Sequence, residues 1–390
     1  MAKLHYDIGY KSENHVGEEL CGDHVKIVHR DDGSSIVVLA DGLGSGVKAS
    51  ILSTLTATIL STMLNANISV EDCVDTVAAT LPVSSEHGVA YSTFTIMLLD
   101  PNGTANLIQF DNPPTLLLRN GRSIEYPHTE INIGGKQIWQ SLLHLRKGDI
   151  LAAMSDGCPY AGPDNSYNMN WRVEDIAVYL ERFATRDLSA RNLASQLVEK
   201  CVRLYANRPK DDTTACIVQA RAHNAVNVLF GPPADRNDTN RMLNLFFAKR
   251  GMHVVCGGTT ASLAAAFLGT TVEPIGQTVR GDIPPMSKIE GVDLVCEGMV
   301  TMRRVVEYAR DYVGDNLLHD EWGKSPDGAS RIMHTLFEEA TDVNLFVGRA
   351  ENPAYRELGV SFGFGAKVQL AQELAELLRQ MNIHVKVSYF

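Results

Sequence analysis

The sequence predicts an α+β domain over residues 1–222, followed over residues 225–390 by an α/β domain with an open, mainly parallel sheet. Three observations predict this. The chain has 390 residues, too many for one ordinary core, because domains typically run roughly 100–200 residues. Up to Ala220, β-branched runs come in blocks with helical patterns set apart from them, which is the signature of antiparallel sheet plus segregated helices. Beyond Arg221-Ala-His-Asn-Ala225, strand and helix patterns alternate one for one, as in a parallel layer.

In the first domain, residues 4–10, 25–30, 35–40, 91–99 and 104–110 read as strands. Residues 47–64 and 70–80 read as helices. Strands follow near 115–118 and 150–154, then helices over 170–183 and 189–207, and residues 215–220 close the sheet. In the second domain the expected strands are 226–230, 252–256, 292–296, 343–347 and 384–389. The expected helices are 238–250, 260–268, 299–312, 329–340 and 366–381.

Composition excludes several classes of partner. Thirty-five Lys and Arg stand against 46 Asp and Glu, a formal charge of −11, which argues against nucleic acid or an anionic membrane as the main partner. It also means that a phosphorylated ligand must be attracted by bound cations and not by a basic surface. The seven cysteines include no Cys-x-x-Cys pair, and most lie in apolar runs, so a reducing cytoplasm with buried thiols is the expectation. Met1-Ala-Lys-Leu-His-Tyr-Asp7 has no apolar core of signal-peptide length. No uninterrupted apolar run reaches about 18 residues, so no membrane span is expected.

Four aspartates carry the chemistry. They are Asp23 in Cys21-Gly22-Asp23, Asp41 in Asp41-Gly-Leu-Gly-Ser-Gly46, Asp156 in Ser155-Asp156-Gly157, and Asp211 in Asp211-Asp212-Thr213-Thr214. Strand-like runs adjoin three of them: Ser35-Ile-Val-Val-Leu-Ala40, Asp149-Ile-Leu-Ala-Ala-Met154 and Ala215-Cys-Ile-Val-Gln-Ala220. Carboxylates at strand ends commonly hold hard divalent cations, whose oxygen preference suits Mg²⁺ and Mn²⁺. Each motif alone has a plainer reading. Asp-Gly is first a turn dipeptide, and the Asp41 loop lacks the Lys-Ser/Thr ending of a phosphate-binding loop. The joint occurrence, in order, is what points to a metal site. His15, His24 and His87 read as surface or packing residues.

That ordered set resembles the metal-dependent protein phosphatase (PPM) family of the type-2C class, in its bacterial SpoIIE-type branch, over about residues 3–221. The Asp41 loop opening into Val47-Lys-Ala-Ser-Ile-Leu52 is similar to the branch's Asp-Gly-x-Gly-x-Gly element, and the other three aspartate motifs match in turn. Phe110-Asp-Asn-Pro-Pro-Thr115 resembles its Ala-Gly-His-x-Pro strand, with Asp111 and Asn112 in place of Gly and His. The resemblance implies a β-sandwich flanked by helices and two Mn²⁺ or Mg²⁺ ions at one end. Asp41 would bridge both ions, the Gly42 carbonyl would bind one, Asp156 and Asp211 would complete a site, and Asp23 would lie close by. It makes Asp211 the ligand of its pair and Asp212 a bystander. It further implies hydrolysis of phosphoserine or phosphothreonine in a protein, in this branch a STAS-type anti-anti-sigma regulator. Two cations about 3.5–4 Å apart can share a water, lower its pKa and clamp phosphoryl oxygens. Other phosphatase designs find no support: Cys21, Cys158 and Cys201 have no Arg six residues on, and there is no Asp-x-Asp-x-Thr motif.

In the second domain, strands end in small or polar residues: Gly231-Pro-Pro-Ala-Asp235, Gly257-Gly258-Thr259-Thr260, Glu297-Gly298 and Gly348-Arg349. Open α/β sheets bind ligands at the carboxyl ends of their strands. An anionic small molecule is therefore expected near Gly257, Gly258, Thr259, Thr260, Glu297 and Arg349, where a helix start offers free N–H groups and Arg349 a two-pronged contact. Glu297 is awkward there, because a carboxylate repels an anion. Gly and Thr at a strand-to-helix turn are also ordinary caps. Two function classes thus compete: a metal-dependent phosphatase, and a ligand-sensing regulatory protein whose phosphatase half is a weak or docking module.

Overall fold

The computed structural model describes residues 3–80, 92–133, 135–162, 171–184, 188–275, 283–314, 316, 318–350 and 365–390. Tyr91, His87 and Asn170, each part of a sequence expectation above, lie outside the described residues. The chain divides into two compact units, Met1–Ala222 and His223–Phe390.

The first unit is four layers deep. One antiparallel sheet has the order β1 (Leu4–Glu13), β11 (Thr213–Ala222), β10 (Ile150–Met154), β6 (Leu116–Arg119), β7 (Arg122–Ile124). The other has the order β2 (Asp23–His29), β3 (Ser35–Asp41), β4 (Thr93–Leu99), β5 (Thr104–Phe110), β9 (Lys136–His144), β8 (Thr129–Ile133). The two-residue period of a strand sends alternate side chains to opposite faces. Val37 and Leu39 of β3 therefore meet Leu151 and Ala153 of β10, and Cys216 and Val218 of β11, in the core between the sheets. Ile36, Val38 and Ala40 point the other way, onto α1 (Gly46–Asn65) and α2 (Val70–Thr80). Ala152, Met154 and Ile217 likewise pack under α3 (Val173–Glu181) and α4 (Ala190–Leu204). Both faces of each central strand are buried, which is why these strands read as continuous apolar runs and not as alternations.

The α1 helix is long and apolar enough, by length and composition alone, to cross a membrane. It instead lays Ala49, Leu52, Thr56, Ala57, Leu60 and Leu64 on its sheet. Its Ser and Thr residues broke the apolar run in the sequence.

The second unit is one sheet in the order β14 (Glu273–Ile275), β15 (Met286–Ile289), β16 (Val292–Cys296), β13 (Met252–Cys256), β12 (Ala225–Phe230), β17 (Asp342–Val347), β18 (His384–Tyr389). The five strands from β16 to β18 are parallel. The β14–β15 and β15–β16 pairings are antiparallel, so the expected mainly parallel sheet is mixed, with an antiparallel edge that the sequence did not show. Glu273-Pro-Ile275 is exposed and carries a proline, which confines it to an edge and erased its strand signal. Helices α5 (Thr239–Phe247) and α6 (Gly258–Leu268) cover one face. Helices α7 (Met299–Val313), α8 (His319–Trp322), α9 (Gly328–Met333) and α10 (Gly365–Gln380) belong to the other, with α7, α9 and α10 supplying much of its core. The single helix expected over 329–340 is α9 followed by a π-helical turn, His334–Glu339, closed by Ala340 N–H on the Thr335 carbonyl.

Leu39 is fully buried between the sheets, whereas Ile51 on α1 is 53% exposed. Leu39→Ala should therefore cost about 2–5 kcal/mol in urea unfolding of the full chain, and Ile51→Ala less than about 1 kcal/mol. Equal losses would contradict the layering.

Candidate functional site

The aspartate motifs converge at one end of the sandwich. Asp23 opens β2 and Asp41 closes β3, and the two are paired directly across the ladder. Thr93 of β4 pairs with Asp41 on its other side. Asp156 follows β10, and Asp211 and Asp212 precede β11, so the opposite sheet supplies these three. A hydrogen bond ties the sheets together here: the Ser155 hydroxyl donates to Asp23 Oδ2 at 2.7 Å, and Ser155 Oγ in turn accepts the Thr214 N–H at 2.9 Å. The Gly42 N–H donates to the Gly22 carbonyl at 3.1 Å. A Cβ on Gly42 would come within 2.1 Å of the Ala49 carbonyl oxygen, so only glycine lets the first turns of α1 close over this loop.

Asp212 belongs to the cluster more deeply than the sequence suggested. It is 3% exposed, and its Oδ1 accepts the His15 N–H at 3.0 Å. Its Oδ2 has no partner and lies where a Cβ on Gly22 would be 2.6 Å away. Asp23 Oδ1 is also buried without a partner. Asp211 turns its Oδ1 to the N–H of Asp212 at 3.0 Å. His15, read from sequence as a surface or packing residue, thus holds the edge of the cluster through its backbone. No sequence signal could have shown this, because the contact spans 197 positions.

Charge is the dominant fact of this end. Burial first, then Asp23, Asp156, Asp211 and Asp212, pushes the Asp41 carboxyl far above its ordinary range. Burial raises Asp23, partly offset by the hydroxyls of Ser155 and Thr214. Burial also raises Asp156, against a hydrogen bond shared with Asp41. Asp211 is pushed up to about 6 by burial and then by Asp156. Burial with Asp23 and Asp212 raises the Cys21 thiol as well. None of the described ion pairs reaches these five carboxylates. Among the described residues, no three His, Cys, Asp or Glu side chains are already gathered into a cage for one ion. The donor set nonetheless fits a hard cation: oxygen only, strongly anionic, and with two buried oxygens lacking partners.

Where the sequence departs from the Gly-His pattern, Asp111 takes a left-handed φ of 53°, which Asp tolerates better than most side chains. Asn112 accepts the Thr93 hydroxyl at 2.5 Å and donates to Thr95 at 3.2 Å. It therefore fastens the strand beside Asp41.

In the second unit, β16, β13, β12 and β17 are parallel, so their carboxyl ends share one edge. Gly257, Gly258, Thr259 and Thr260 follow β13, and Glu297 follows the neighbouring β16. Arg349 follows β17, on the far side of β12, roughly 10 Å of strand spacing from β13. It is exposed and does not join the others.

Residues 31–221 match the family described as Stage II sporulation protein E (SpoIIE). No curated protein sequence matches the chain. Among solved structures, the chain is similar to the PP2C phosphatase domain with a regulatory-domain fragment of SpoIIE from Bacillus subtilis. Identity is 20% over 57% of this chain and 64% of that one, with a TM-score of 0.47. It is also similar to the RsbU and RsbW domains of a Mycobacterium tuberculosis protein, at 20% identity over 63% and 71% of the two chains and a TM-score of 0.49. A third similar structure is RsbX in complex with magnesium, at 20% identity over 56% and 100% and a TM-score of 0.39. The chain spans just under two thirds of the Bacillus subtilis structure. The family match thus takes in most of the first unit, just under half of the chain, and the second unit lies outside it.

Proposed function

We propose that the first unit is a Mn²⁺- or Mg²⁺-dependent phosphatase of phosphoserine and phosphothreonine proteins. The observation that carries the proposal is the convergence of Asp23, Asp41, Asp156, Asp211 and Asp212 from both sheets, buried or half-buried and, among the described residues, reached by no ion pair. Asp41, Asp156 and Asp211 with the Gly42 carbonyl would hold two ions, and Asp23 and Asp212 would border them. The bound ions would supply a water acidic enough to ionise near neutral pH and would neutralise the phosphoryl oxygens. The protein's part is positional. Ser155 holds Asp23 from across the sandwich, and Asn112 steadies the Thr93 strand next to Asp41. Gly42 brings backbone to the site without a Cβ. By the family resemblance, the protein substrate is a phosphorylated STAS-type regulator. Seven free thiols, six of them buried, suit a reducing cytoplasm.

The unneutralised cluster predicts a stability inversion. In EDTA at pH 8, wild type must take up a proton at Asp41 on folding or hold that charge among four others, whereas Asp41→Asn does neither and should melt above wild type, by on the order of 1–3 kcal/mol. With excess Mn²⁺ the order should reverse, because wild type then gains binding energy that the variant lacks. The pH sign follows from Asp211. Its carboxyl is raised in the folded state to about 6, from an unfolded value of about 4. The folded protein thus binds the extra proton, and stability falls as pH rises between those values. The advantage of Asp41→Asn in EDTA should therefore shrink as pH drops from 8 towards 4. Differential scanning fluorimetry checks both points; a variant less stable in EDTA at every pH rejects the electrostatic account.

Hydrolysis tests the metal roles. Asp41→Asn should abolish Mn²⁺-dependent turnover of p-nitrophenyl phosphate, and EDTA should do the same to wild type. Residual activity within about tenfold of wild type, only ~1.4 kcal/mol in the barrier, would sink the assignment. Asp211→Asn and Asp212→Asn should both impair turnover, since both charges bear on Asp41.

Specificity needs phosphoproteins, because a good aryl leaving group relaxes substrate fit. A phosphoserine STAS domain should be dephosphorylated at least about tenfold faster than a phosphotyrosine protein, a difference of ~1.4 kcal/mol. The reverse order would reject the protein-serine reading.

A further inference from the structure

The second unit brings two helix starts together. Strands β13 and β16 are neighbours in register, Cys256 opposite Cys296, and each runs through glycine into a helix. The Gly257 N–H donates to the Cys296 carbonyl at 2.9 Å, and Gly257 has a φ of 115°. A Cβ on Gly298 would stand 3.2 Å from the Gly257 Cα. Side chains at either glycine would push the helix starts apart.

The notch between these glycines is lined by donors that lack partners. Neither α6 nor α7 has an acidic residue in its first turn, and Gly257 and Gly298 have no side chain to cap with. The first α6 bond is Ala261 N–H to the Gly257 carbonyl, so the N–H groups of Gly258, Thr259 and Thr260 are not used within the helix. The Thr260 hydroxyl is 1% exposed and has no partner. It leans into the notch, 3.1 Å from the position a Gly257 Cβ would take. The Thr301 hydroxyl, at the same step of α7, is fully buried and also unpartnered. Above Gly258 the space is open. Glu297, the member that seemed to oppose an anion, turns its Oε2 to the Val300 N–H at 3.3 Å and so caps α7 instead. That leaves α6 as the unopposed helix start, with its dipole and free N–H groups facing the opening.

We propose that this notch binds the phosphoryl group of a small molecule, on the Gly258–Thr260 N–H groups and the Thr260 hydroxyl. Three amides and a hydroxyl arranged around one opening suit the tetrahedrally spread oxygens of a phosphoryl group better than the two coplanar oxygens of a carboxylate. An unsatisfied buried hydroxyl is costly, and a ligand oxygen would satisfy it. Arg349 plays no part.

The test is hydrogen exchange by mass spectrometry on the full chain in EDTA, where the carboxylate cluster of the first unit repels phosphate. Inorganic phosphate should slow exchange in peptides covering residues 257–262 at least threefold against sodium chloride of matched ionic strength. Glycerol 2-phosphate in a parallel arm decides the source: stronger protection than phosphate assigns the site to a phosphorylated metabolite, and weaker protection to free phosphate. Gly258→Asp sets a carboxylate in open space at a helix start, where it stabilises the fold and blocks the anion. Its phosphate protection should vanish. Thr260→Val has no hydrogen bond to lose, so it should fold as wild type does and bind more weakly. Equal protection by acetate, protection retained in Gly258→Asp, or none in wild type would overturn the proposal.

Discussion

Mutual repulsion among carboxylates at one end of the sandwich is the constraint around which the first unit is built. Two such charges about 4 Å apart repel by roughly 4 kcal/mol at a protein-like effective dielectric. Five of them cannot be held by a loop scaffold alone. Here they sit on the ends of strands whose other side chains are among the most buried in the chain: Val37 and Leu39 behind Asp41, Ala153 and Met154 before Asp156, Ala215 and Cys216 after Asp212. Each residue that carries charge is one or two steps along the backbone from a side chain that cannot move without opening the core. The hydrogen bonds at this end are few and specific, chief among them Ser155 to Asp23 and His15 N–H to Asp212. They cross between sheets or from a distant loop, and they fix the carboxylates without neutralising them. What is left unneutralised is the capacity to bind cations.

Much of this was legible in sequence, for reasons that can be named. Asp41 and Asp156 were visible because a buried strand runs straight into each, and because glycine follows where backbone must pass closely. The central strands announced themselves as unbroken apolar runs because helices cover their outer faces. Strands β8 and β9 were missed. Lys136–His144 alternates polar residues with Ile138, Trp139, Leu142 and Leu143 without a clean period of two, and Leu142 is 72% exposed. Its pairing with β5 is a tertiary fact. The standing of Asp212 was hidden for another reason. The family resemblance placed the ligand first in the Asp-Asp pair and left Asp212 a bystander. Both residues precede the strand, and the charges of both bear on Asp41.

The second unit shows how a general rule can place a site in the wrong crevice. Numbered in chain order, its parallel strands run third, second, first, fourth, fifth across the sheet, and the winding reverses between β12 and β17. Ligands of doubly wound folds commonly sit at such a reversal. Here the described residues lace it shut. The Gly348 N–H donates to the Phe230 carbonyl at 2.9 Å, and the Ala350 N–H to the Pro232 carbonyl at 3.2 Å. A Cβ on Gly348 would be 2.1 Å from that same Pro232 oxygen. Lys367 then lies across the top, its ammonium donating to the Ala350 carbonyl at 3.0 Å, and burial lowers its pKa. Backbone groups that satisfy one another have nothing left to offer a ligand. Two strands over, between β13 and β16, the opposite holds: two glycines bring two helices together, and the threonine hydroxyls and the first N–H groups of α6 find no partner among the described residues. Which crevice can bind follows from unsatisfied polar groups and not from topology alone, and by that criterion the paired helix starts, not the reversal point, are the working edge of this sheet.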